Sequence, residues 1–202
     1  MTDKYAPQAE RWTETAYADP GGYLAHRAEL VVSLGPRLEP GRRVLDLACG
    51  DGGLAAFLPA EYLGVDASPE MVAAARLRGV DAELADLNDY EPPEPVAATL
   101  CFRAIYYARD RRAFFRRVAG YTETKLVFDL NPRQYRVADV RADLEAAGFD
   151  RLELRPFLVP QTLALPRPLR ALAIAVERTA LARLLLRLRF TYVCAAFRGT
   201  NV

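Results

Sequence analysis

The sequence is poor in the residues that build metal centres and disulfides. It has one histidine, His26, and three cysteines, Cys49, Cys101 and Cys194, which are widely spaced and odd in number. No cysteine pair has the spacing of metal ligands, so we expect no metal site. Each cysteine lies in an apolar pattern typical of a strand, which predicts reduced, buried thiols and a cytoplasmic location.

Charge of one sign and long apolar runs are also missing. The 202 residues carry 27 basic and 26 acidic side chains, a formal net charge of +1. This balance gives no general attraction to nucleic acid, and we expect no nucleic-acid partner. No apolar run reaches the ~18 residues of a membrane-spanning helix, and the polar N-terminus predicts no secretory signal. The length and the 51% hydrophobic content fit one globular domain.

A short apolar segment followed at once by small residues marks the centre of the sequence. Residues 44–47 (Val-Leu-Asp-Leu) predict a buried parallel strand, and Gly50 and Gly52 predict a tight turn that a ligand can approach closely. In open α/β sheets, ligands bind beyond the carboxyl ends of strands, where the strand order reverses. The sequence therefore predicts a cofactor site at this turn.

A dinucleotide site is one interpretation of this turn. Residues 50–55 satisfy the loose glycine pattern of such sites, and Asp66 could bind a ribose. However, Asp46 and Asp51 flank the turn, and a pyrophosphate about 4–5 Å from such carboxylates would cost a few kcal/mol at an effective dielectric constant near 20. A cationic cofactor without phosphate meets no such repulsion.

Three motifs occur in order along the chain: residues 44–52 (VLDLACGDG), 63–71 (LGVDASPEM) and 83–87 (ELADL). Together they resemble the motifs of class I S-adenosylmethionine-dependent methyltransferases, in particular of the small-molecule branch. The resemblance covers about residues 17–150. It implies an α/β fold: a doubly wound, mostly parallel seven-stranded, Rossmann-like sheet with an N-terminal helical cap and a helical insertion between strands 6 and 7.

The resemblance also implies a set of residues around S-adenosylmethionine. Asp46 would attract the ammonium group, Asp66 would accept both ribose hydroxyls, and Tyr23 and Arg27 would face the methionine carboxylate. An alternative for the last two is that Tyr23 belongs to the core and Arg27 to the solvated surface. The residues assigned to the cofactor are Tyr17, Tyr23, Arg27, Asp46, Ala48, Gly50, Asp66, Ala67, Met71, Asp86, Leu87 and Phe102.

The sequence does not reveal a general base. Its absence does not exclude activity, because an amine acceptor needs no strong base. His26 has the only side chain whose unperturbed pKa suits a general base, although a structural role is the alternative. Tyr106 and Tyr107 follow the fourth predicted strand and could orient an acceptor or box a cation, or pack in the core. These three are the catalytic candidates.

The chain divides into four predicted parts of a single domain, 1–202. They are an N-terminal helical cap (1–40), a cofactor-binding core (41–158), a helical insertion or lid (160–189) and a last strand (190–202). Within the core, residues 51–58 are predicted to form a short helix. The seventh strand is predicted over 190–197.

The insertion is rich in arginine and leucine. Its apolar stripe changes phase near residue 181, which predicts a bend or two short helices. It starts at the cofactor end of the sheet, so we expect it to pack over the acceptor pocket as a roof. A dimer face is the second interpretation, with the chain a monomer or homodimer. Peripheral contact of residues 167–189 with a membrane or a lipid-like substrate is the third.

The leading functional hypothesis is methyl transfer from S-adenosylmethionine by in-line displacement to an O, N or C nucleophile of a small molecule. Two alternatives remain open. One is a module that binds S-adenosylmethionine without catalysis, and the other, less favoured, is an NAD-dependent dehydrogenase.

Overall fold

The computed structural model describes residues 6–185 and 191–199. One seven-stranded sheet runs through these residues. Its strands are β1 (Arg43–Leu47), β2 (Glu61–Asp66), β3 (Asp81–Leu84), β4 (Val96–Cys101), β5 (Thr122–Leu130), β6 (Arg151–Phe157) and β7 (Thr191–Phe197).

Helices connect these strands. They are α1 (Trp12–Ala16), α2 (Pro20–Ser33), α3 (Pro69–Leu77), α4 (Arg111–Tyr121), α5 (Val137–Ala146), α6 (Arg167–Glu177) and α7 (Ala180–Leu185). Three 3-10 helices add Ala6–Arg11, Ala55–Phe57 and Ile105–Tyr107. No helix of the described ranges is both long and apolar enough to cross a membrane.

The order of the strands shows where along the sheet a ligand site is expected. The order is β3-β2-β1-β4-β5-β7-β6, with β7 antiparallel to both neighbours and the other pairs parallel. The chain therefore builds outward from β1 in one direction and from β4 in the other, and the strand order reverses between these two strands. The predicted Rossmann-like sheet and the insertion between β6 and β7 are confirmed.

Both faces of the sheet are covered, which explains the almost continuous apolar strands. Phe114 and Phe115 of α4 and Leu144 of α5 pack in one core cluster, while Leu24 and Val31 of α2 pack in the other. All six residues of β4 are buried, as expected for a central parallel strand.

Two element predictions need correction. The predicted helix over 51–58 is only the 3-10 turn Ala55–Phe57, because the chain between β1 and β2 is too short and glycine-rich to propagate a helix. The insertion forms two helices, and its bend at Arg178 and Thr179 lies slightly before the predicted position. Residues 186–190, including the predicted first residue of the last strand, lie outside the described residues.

Candidate functional site

A cavity of about 670 Å³ opens at the carboxyl ends of β1, β2, β3 and β4. This is the edge at which the strand order reverses. Its lining includes eleven of the twelve predicted cofactor residues: Tyr17, Arg27, Asp46, Ala48, Gly50, Asp66, Ala67, Met71, Asp86, Leu87 and Phe102. The remaining one, Tyr23, does not line the cavity, but its hydroxyl accepts a hydrogen bond from Arg27.

The turn after β1 is shaped by positive backbone angles. Gly50 has φ +59°, and Ala48, which carries a side chain, has φ +65°. The left-handed region is uncommon for residues other than glycine, and such strain is concentrated at functional sites. The N–H of Gly50 donates to Asp66 Oδ2 at 2.8 Å, which fixes the turn of β1 against the end of β2.

Asp46 is a buried carboxylate in which only one oxygen has a hydrogen-bond partner among the described residues. Its Oδ2 accepts a hydrogen bond from the Tyr62 hydroxyl at 2.6 Å, while Oδ1 has no partner among the described residues. Burial raises the pKa of Asp46 to about 6. Asp46 also forms no ion pair within the part of the chain that the structure describes.

Arg27 is a buried cation in a largely aromatic environment. Its side chain lies over Phe102, with Cζ 4.4 Å from the ring centroid, and Nη2 donates to the Tyr23 hydroxyl at 2.9 Å. Tyr17 accepts a longer hydrogen bond of 3.5 Å. Among residues 6–185 and 191–199, no carboxylate forms an ion pair with Arg27. The Nε of Arg27 has no hydrogen-bond partner there either.

Asp66 is oriented at the end of β2 by the backbone that surrounds it. Besides the bond from Gly50, its Oδ1 accepts the N–H of Ser68 at 2.9 Å. Ser68 in turn is the N-cap of α3, and its hydroxyl accepts the N–H of Met71. The sequence of this strand, cap and helix therefore places Asp66, Ala67 and Met71 at one side of the cavity.

The far side of the cavity is closed by the loop after β3. Asp86 accepts two hydrogen bonds from Asn88 and one from Arg109 Nη2 at 2.7 Å. Partial burial alone would raise the pKa of Asp86. These hydrogen bonds and the nearby Arg109 hold that pKa below its ordinary value instead. Tyr106 and Tyr107 stand beside this loop, half exposed and with ring centroids 4.4 Å apart.

His26 does not lie in the cavity, which corrects its assignment as a catalytic candidate. Its Nε2 is 2.6 Å from Glu177 of α6, and its ring stacks on Phe157. Both partners are distant in sequence, so the pattern around His26 held no signal for this contact. Its role in the described structure is to join α2 to the insertion.

The insertion does not roof the cavity within the described residues. None of the residues 160–185 lines it. Instead, Glu177 and Arg178 of the insertion bind His26 and Glu29 of α2. The apolar stripe of α6 does not indicate which neighbour covers it. The prediction that the insertion roofs the acceptor pocket therefore rested on the topology of the sheet alone.

Several residues that line the cavity were not predicted. Trp12 and Thr13 of α1 reach it because the buried Asp51 accepts the N–H of Thr13 at 2.8 Å and its hydroxyl at 2.6 Å. Arg103 follows β4 with φ +55°, and its N–H donates to Asp129 at 2.6 Å. A position directly after a central strand is the only sequence signal that could have identified Arg103.

Comparison with known proteins agrees with this geometry. Residues 44–125 match the family described as methyltransferase domain. That segment holds the turn after β1, the end of β2 and the loop after β3. Over these residues the chain is therefore similar to a methyltransferase domain.

The chain spans less than half of the length of the curated relatives that it resembles. A trans-aconitate 2-methyltransferase of Mycobacterium tuberculosis is 42% identical over 101 residues, which are 44% of this chain and 38% of that protein. One of Rhodococcus jostii is 36% identical over 109 residues, 49% of this chain and 43% of that protein. The chain thus matches less than half of the length of either relative.

Solved structures extend the likeness of the fold to almost the whole chain. A chain of the complex between the Haloferax volcanii Trm112 methyltransferase activator and its methyltransferase has a TM-score of 0.65 at 18% identity, covering 98% of this chain and 99% of that one. The magnesium protoporphyrin IX methyltransferase of Synechocystis, solved with bound S-adenosylmethionine, has a TM-score of 0.59 at 17% identity, covering 94% and 85%.

Proposed function

We propose that this chain is an S-adenosylmethionine-dependent methyltransferase that acts on a small-molecule acceptor. One observation carries the proposal: the cavity holds a buried carboxylate, Asp46, and a buried guanidinium, Arg27, neither of which is ion-paired among the described residues. Arg27 interacts with the carboxylates of Asp46 and Asp129 only beyond ion-pair distance. Buried charges without a contact partner are costly, so the site is suited to a ligand that supplies one for each group.

The methionine end of S-adenosylmethionine supplies these two charges. Its ammonium group suits the unpartnered Oδ1 of Asp46, and its carboxylate suits the guanidinium of Arg27, which Tyr17 and Tyr23 hold in place. Asp66 would accept the ribose hydroxyls, and Asp86, Leu87, Ala67 and Met71 would border the adenine.

The bound cofactor supplies a methyl group already activated by its sulfonium, so the protein mainly has to align an acceptor with it and exclude water. Phe102 and Ala48 provide apolar walls beside the positions of Asp46 and Arg27. Arg103, Tyr106 and Tyr107 line the cavity beyond β4, where an acceptor would enter.

We further propose that the acceptor carries a carboxylate. Arg103 lines the cavity, stands 5.9 Å from the Trp12 ring and makes no ion pair among the described residues. A guanidinium in this position suits a carboxylate, because its donors form a fixed fork. The curated relatives named for trans-aconitate, a small carboxylate, support the same class of acceptor.

A nicotinamide dinucleotide fits the turn poorly. In dinucleotide-binding folds the pyrophosphate lies at the N-terminus of a helix that follows the glycine-rich turn. Here the turn leads into the 3-10 helix Ala55–Phe57, and the N–H of Gly50 already donates to Asp66. The uncompensated carboxylate of Asp46 would also repel a phosphate.

The test is a transfer assay with methyl-tritiated S-adenosylmethionine. Small mono-, di- and tricarboxylates, including trans-aconitate, are compared with amines of similar size. We expect base-labile methyl esters and an equal amount of S-adenosylhomocysteine with at least one carboxylate. Binding of the cofactor without transfer to any acceptor would favour the non-catalytic module, and turnover with a nicotinamide cofactor would favour the dehydrogenase.

Arg103→Met tests the acceptor class. We expect the KM of the carboxylate acceptor to rise about tenfold or more, because a charge-assisted hydrogen bond is worth about 1.5–3 kcal/mol. The affinity for S-adenosylmethionine should change less than about twofold. Arg109→Met is the matched control, since Arg109 already pairs with Asp86 and Asp89. Equal effects of both variants on the KM would contradict a specific role of Arg103.

A further inference from the structure

Arg103 has a strained backbone just beyond the end of β4. Its φ of +55° lies in the left-handed region, where a residue with a Cβ stays only when its surroundings hold it there. Among the described residues other than glycine, Ala48 in the turn after β1 is the one other example. Both residues line the cavity. The cause of the conformation of Arg103 therefore bears on what the cavity can bind.

Asp129 of β5 supplies a hydrogen bond that holds this backbone. Its Oδ1 accepts the N–H of Arg103 at 2.6 Å. Phe128, the residue before Asp129, pairs with Cys101 at the end of β4, so the carboxylate lies beside the strand end that Arg103 follows. A carboxylate that accepts a backbone N–H forms one of the stronger hydrogen bonds of proteins, and such a bond can compensate for strain.

The backbone of Arg103 determines where its side chain points, because the direction of Cβ changes with φ. In the left-handed conformation the guanidinium lies over the ring of Trp12, with Cζ 5.9 Å from the ring centroid. A return to the extended conformation of β4 would turn the side chain away from this place. Asp129 therefore controls the direction of Arg103 through the main chain.

Asp129 does not act as the counter-ion of a guanidinium in contact with it. Burial raises the pKa of Asp129, whereas the charge of Arg27 and the N–H of Arg103 act in the opposite direction. In the part of the chain that the structure describes, neither arginine forms an ion pair with this carboxylate. The guanidinium of Arg103 thus keeps its donors for a ligand.

We propose that Asp129 is a positioning residue, which holds Arg103 in the left-handed conformation and so directs its guanidinium to the carboxylate of the acceptor. The inference rests on the proposed function, since it assumes that Arg103 binds an acceptor carboxylate. Asp129 itself is not part of the cavity lining. The inference thus adds a residue outside the cavity to those that determine acceptor binding.

Asp129→Ala removes the acceptor of this hydrogen bond. At saturating S-adenosylmethionine, we expect the KM of a carboxylate acceptor to rise about tenfold while kcat stays within about twofold, because a binding contact is lost. Asp129→Asn keeps an oxygen that can accept the N–H and should raise the KM less than about threefold.

Asp150→Ala is the matched control. Asp150 accepts the N–H of Gly199 at 2.6 Å, but it precedes β6, at the edge of the sheet opposite to the cavity. Its substitution should change the KM less than about twofold. A KM that rises equally in Asp129→Ala and Asp150→Ala, or equally in Asp129→Ala and Asp129→Asn, would overturn the proposal.

A double-mutant cycle shows whether Asp129 acts through Arg103. In the background of Arg103→Met, the further change Asp129→Ala should alter the KM less than about twofold, because the side chain that Asp129 positions is already lost. The same rise of the KM in both backgrounds would mean that Asp129 acts independently of Arg103 and would overturn the proposal.

The fluorescence of Trp12, the only tryptophan of the chain, tests the positioning without any acceptor. We expect acrylamide to quench Trp12 more strongly in Asp129→Ala than in the wild type or Asp150→Ala, because Arg103 no longer covers the ring. In Arg103→Met, Asp129→Ala should add no further quenching. If the wild type methylates no carboxylate, the proposed acceptor class is wrong, and stronger quenching in Asp129→Ala would still support the positioning of Arg103. Unchanged quenching in Asp129→Ala would overturn it in either case.

Discussion

At the scale of single residues, the cavity is defined by two buried charged groups that form no contact ion pair among the described residues. Arg27 and Asp46 are each 4% exposed, yet each keeps a polar atom without a partner among the described residues. Such groups weaken the free protein and strengthen the complex with a ligand that pairs them. Substitutions here should therefore separate stability from binding.

Arg27→Met is the first such substitution. It keeps an unbranched chain against Phe102 and removes the charge, so we expect the affinity for S-adenosylmethionine to fall at least about tenfold. The melting temperature of the free protein should fall by only a few degrees, because the lost bond to Tyr23 is offset by removal of a buried charge. Calorimetric titration and thermal unfolding measure the two effects. A large loss of stability with unchanged affinity would contradict the assigned role.

Asp46 gives the site a pH dependence. Its carboxyl group has a pKa near 4 in an unfolded chain and about 6 when buried in the folded one. The folded state thus binds the proton more tightly, and this group's contribution to stability is lost as pH rises from about 4 to 6, by about 3 kcal/mol. Binding of the cofactor ammonium has the opposite trend, since it needs the ionised form and should strengthen as pH rises through about 6.

Asp46→Asn isolates both trends. The amide oxygen can still accept the Tyr62 bond, but it does not titrate. Unfolding and titration with S-adenosylmethionine across pH 4.5–7.5, a range of about three pH units around this pKa, should show the opposed slopes in the wild type. Both slopes should be reduced in the variant. Identical pH profiles for the two proteins would exclude Asp46 as their source.

His26→Gln distinguishes a structural role from a catalytic one. We expect a loss of about 1–3 kcal/mol in unfolding free energy, because the buried Glu177 loses one hydrogen-bond partner. Because His26 lies outside the cavity, kcat with a working acceptor should stay within about twofold. A loss of kcat of a hundredfold or more, about 2.7 kcal/mol, without loss of stability would return His26 to the chemistry.

At the scale of elements, one buried carboxylate fastens the N-terminal cap to the core. Asp51 accepts the N–H and hydroxyl of Thr13, and it also pairs with Arg78 at 2.9 Å. This contact holds Trp12 over the turn at Gly50, where an added Cβ would come within 3.3 Å of the indole ring. The closure of the cavity therefore depends on α1 being attached.

Thr13→Ala tests this attachment. It removes the hydroxyl bond of 2.6 Å to Asp51, and we expect about 1–2 kcal/mol less resistance to local opening of α1. Trp12 is the only tryptophan of the chain, so acrylamide quenching of its fluorescence reports the opening directly. Quenching should increase in the variant, whereas in Thr15→Ala, an exposed threonine of the same helix, it should match the wild type.

The elements show which patterns are informative. The strand predicted over 44–47 is β1 (Arg43–Leu47), and the strand predicted over 190–197 is described as Thr191–Phe197, since buried strands are continuous apolar runs. The segment 51–58 was wrongly predicted as a helix, because apolar spacing over so few residues does not separate a helix from a turn.

At the scale of the whole molecule, the sequence identified the part of the site that lies on consecutive strands. Asp46 lies near the end of β1, Asp66 ends β2 and Asp86 follows β3, and parallel strands bring their carboxyl ends to one edge. The contacts of Trp12, Thr13 and His26 depend on partners 38 to 151 positions away and leave no local pattern.

The measurement that tests the account most directly is calorimetric titration of S-adenosylmethionine into the wild type, Asp66→Ala and Asp139→Ala. Asp139 is an exposed acid on α5 and serves as the control. We expect micromolar binding by the wild type and by Asp139→Ala, and at least about a hundredfold loss in Asp66→Ala, which removes two charge-assisted hydrogen bonds to the ribose. No binding by the wild type, or equal affinity in all three proteins, would contradict the assignment of this cavity to S-adenosylmethionine.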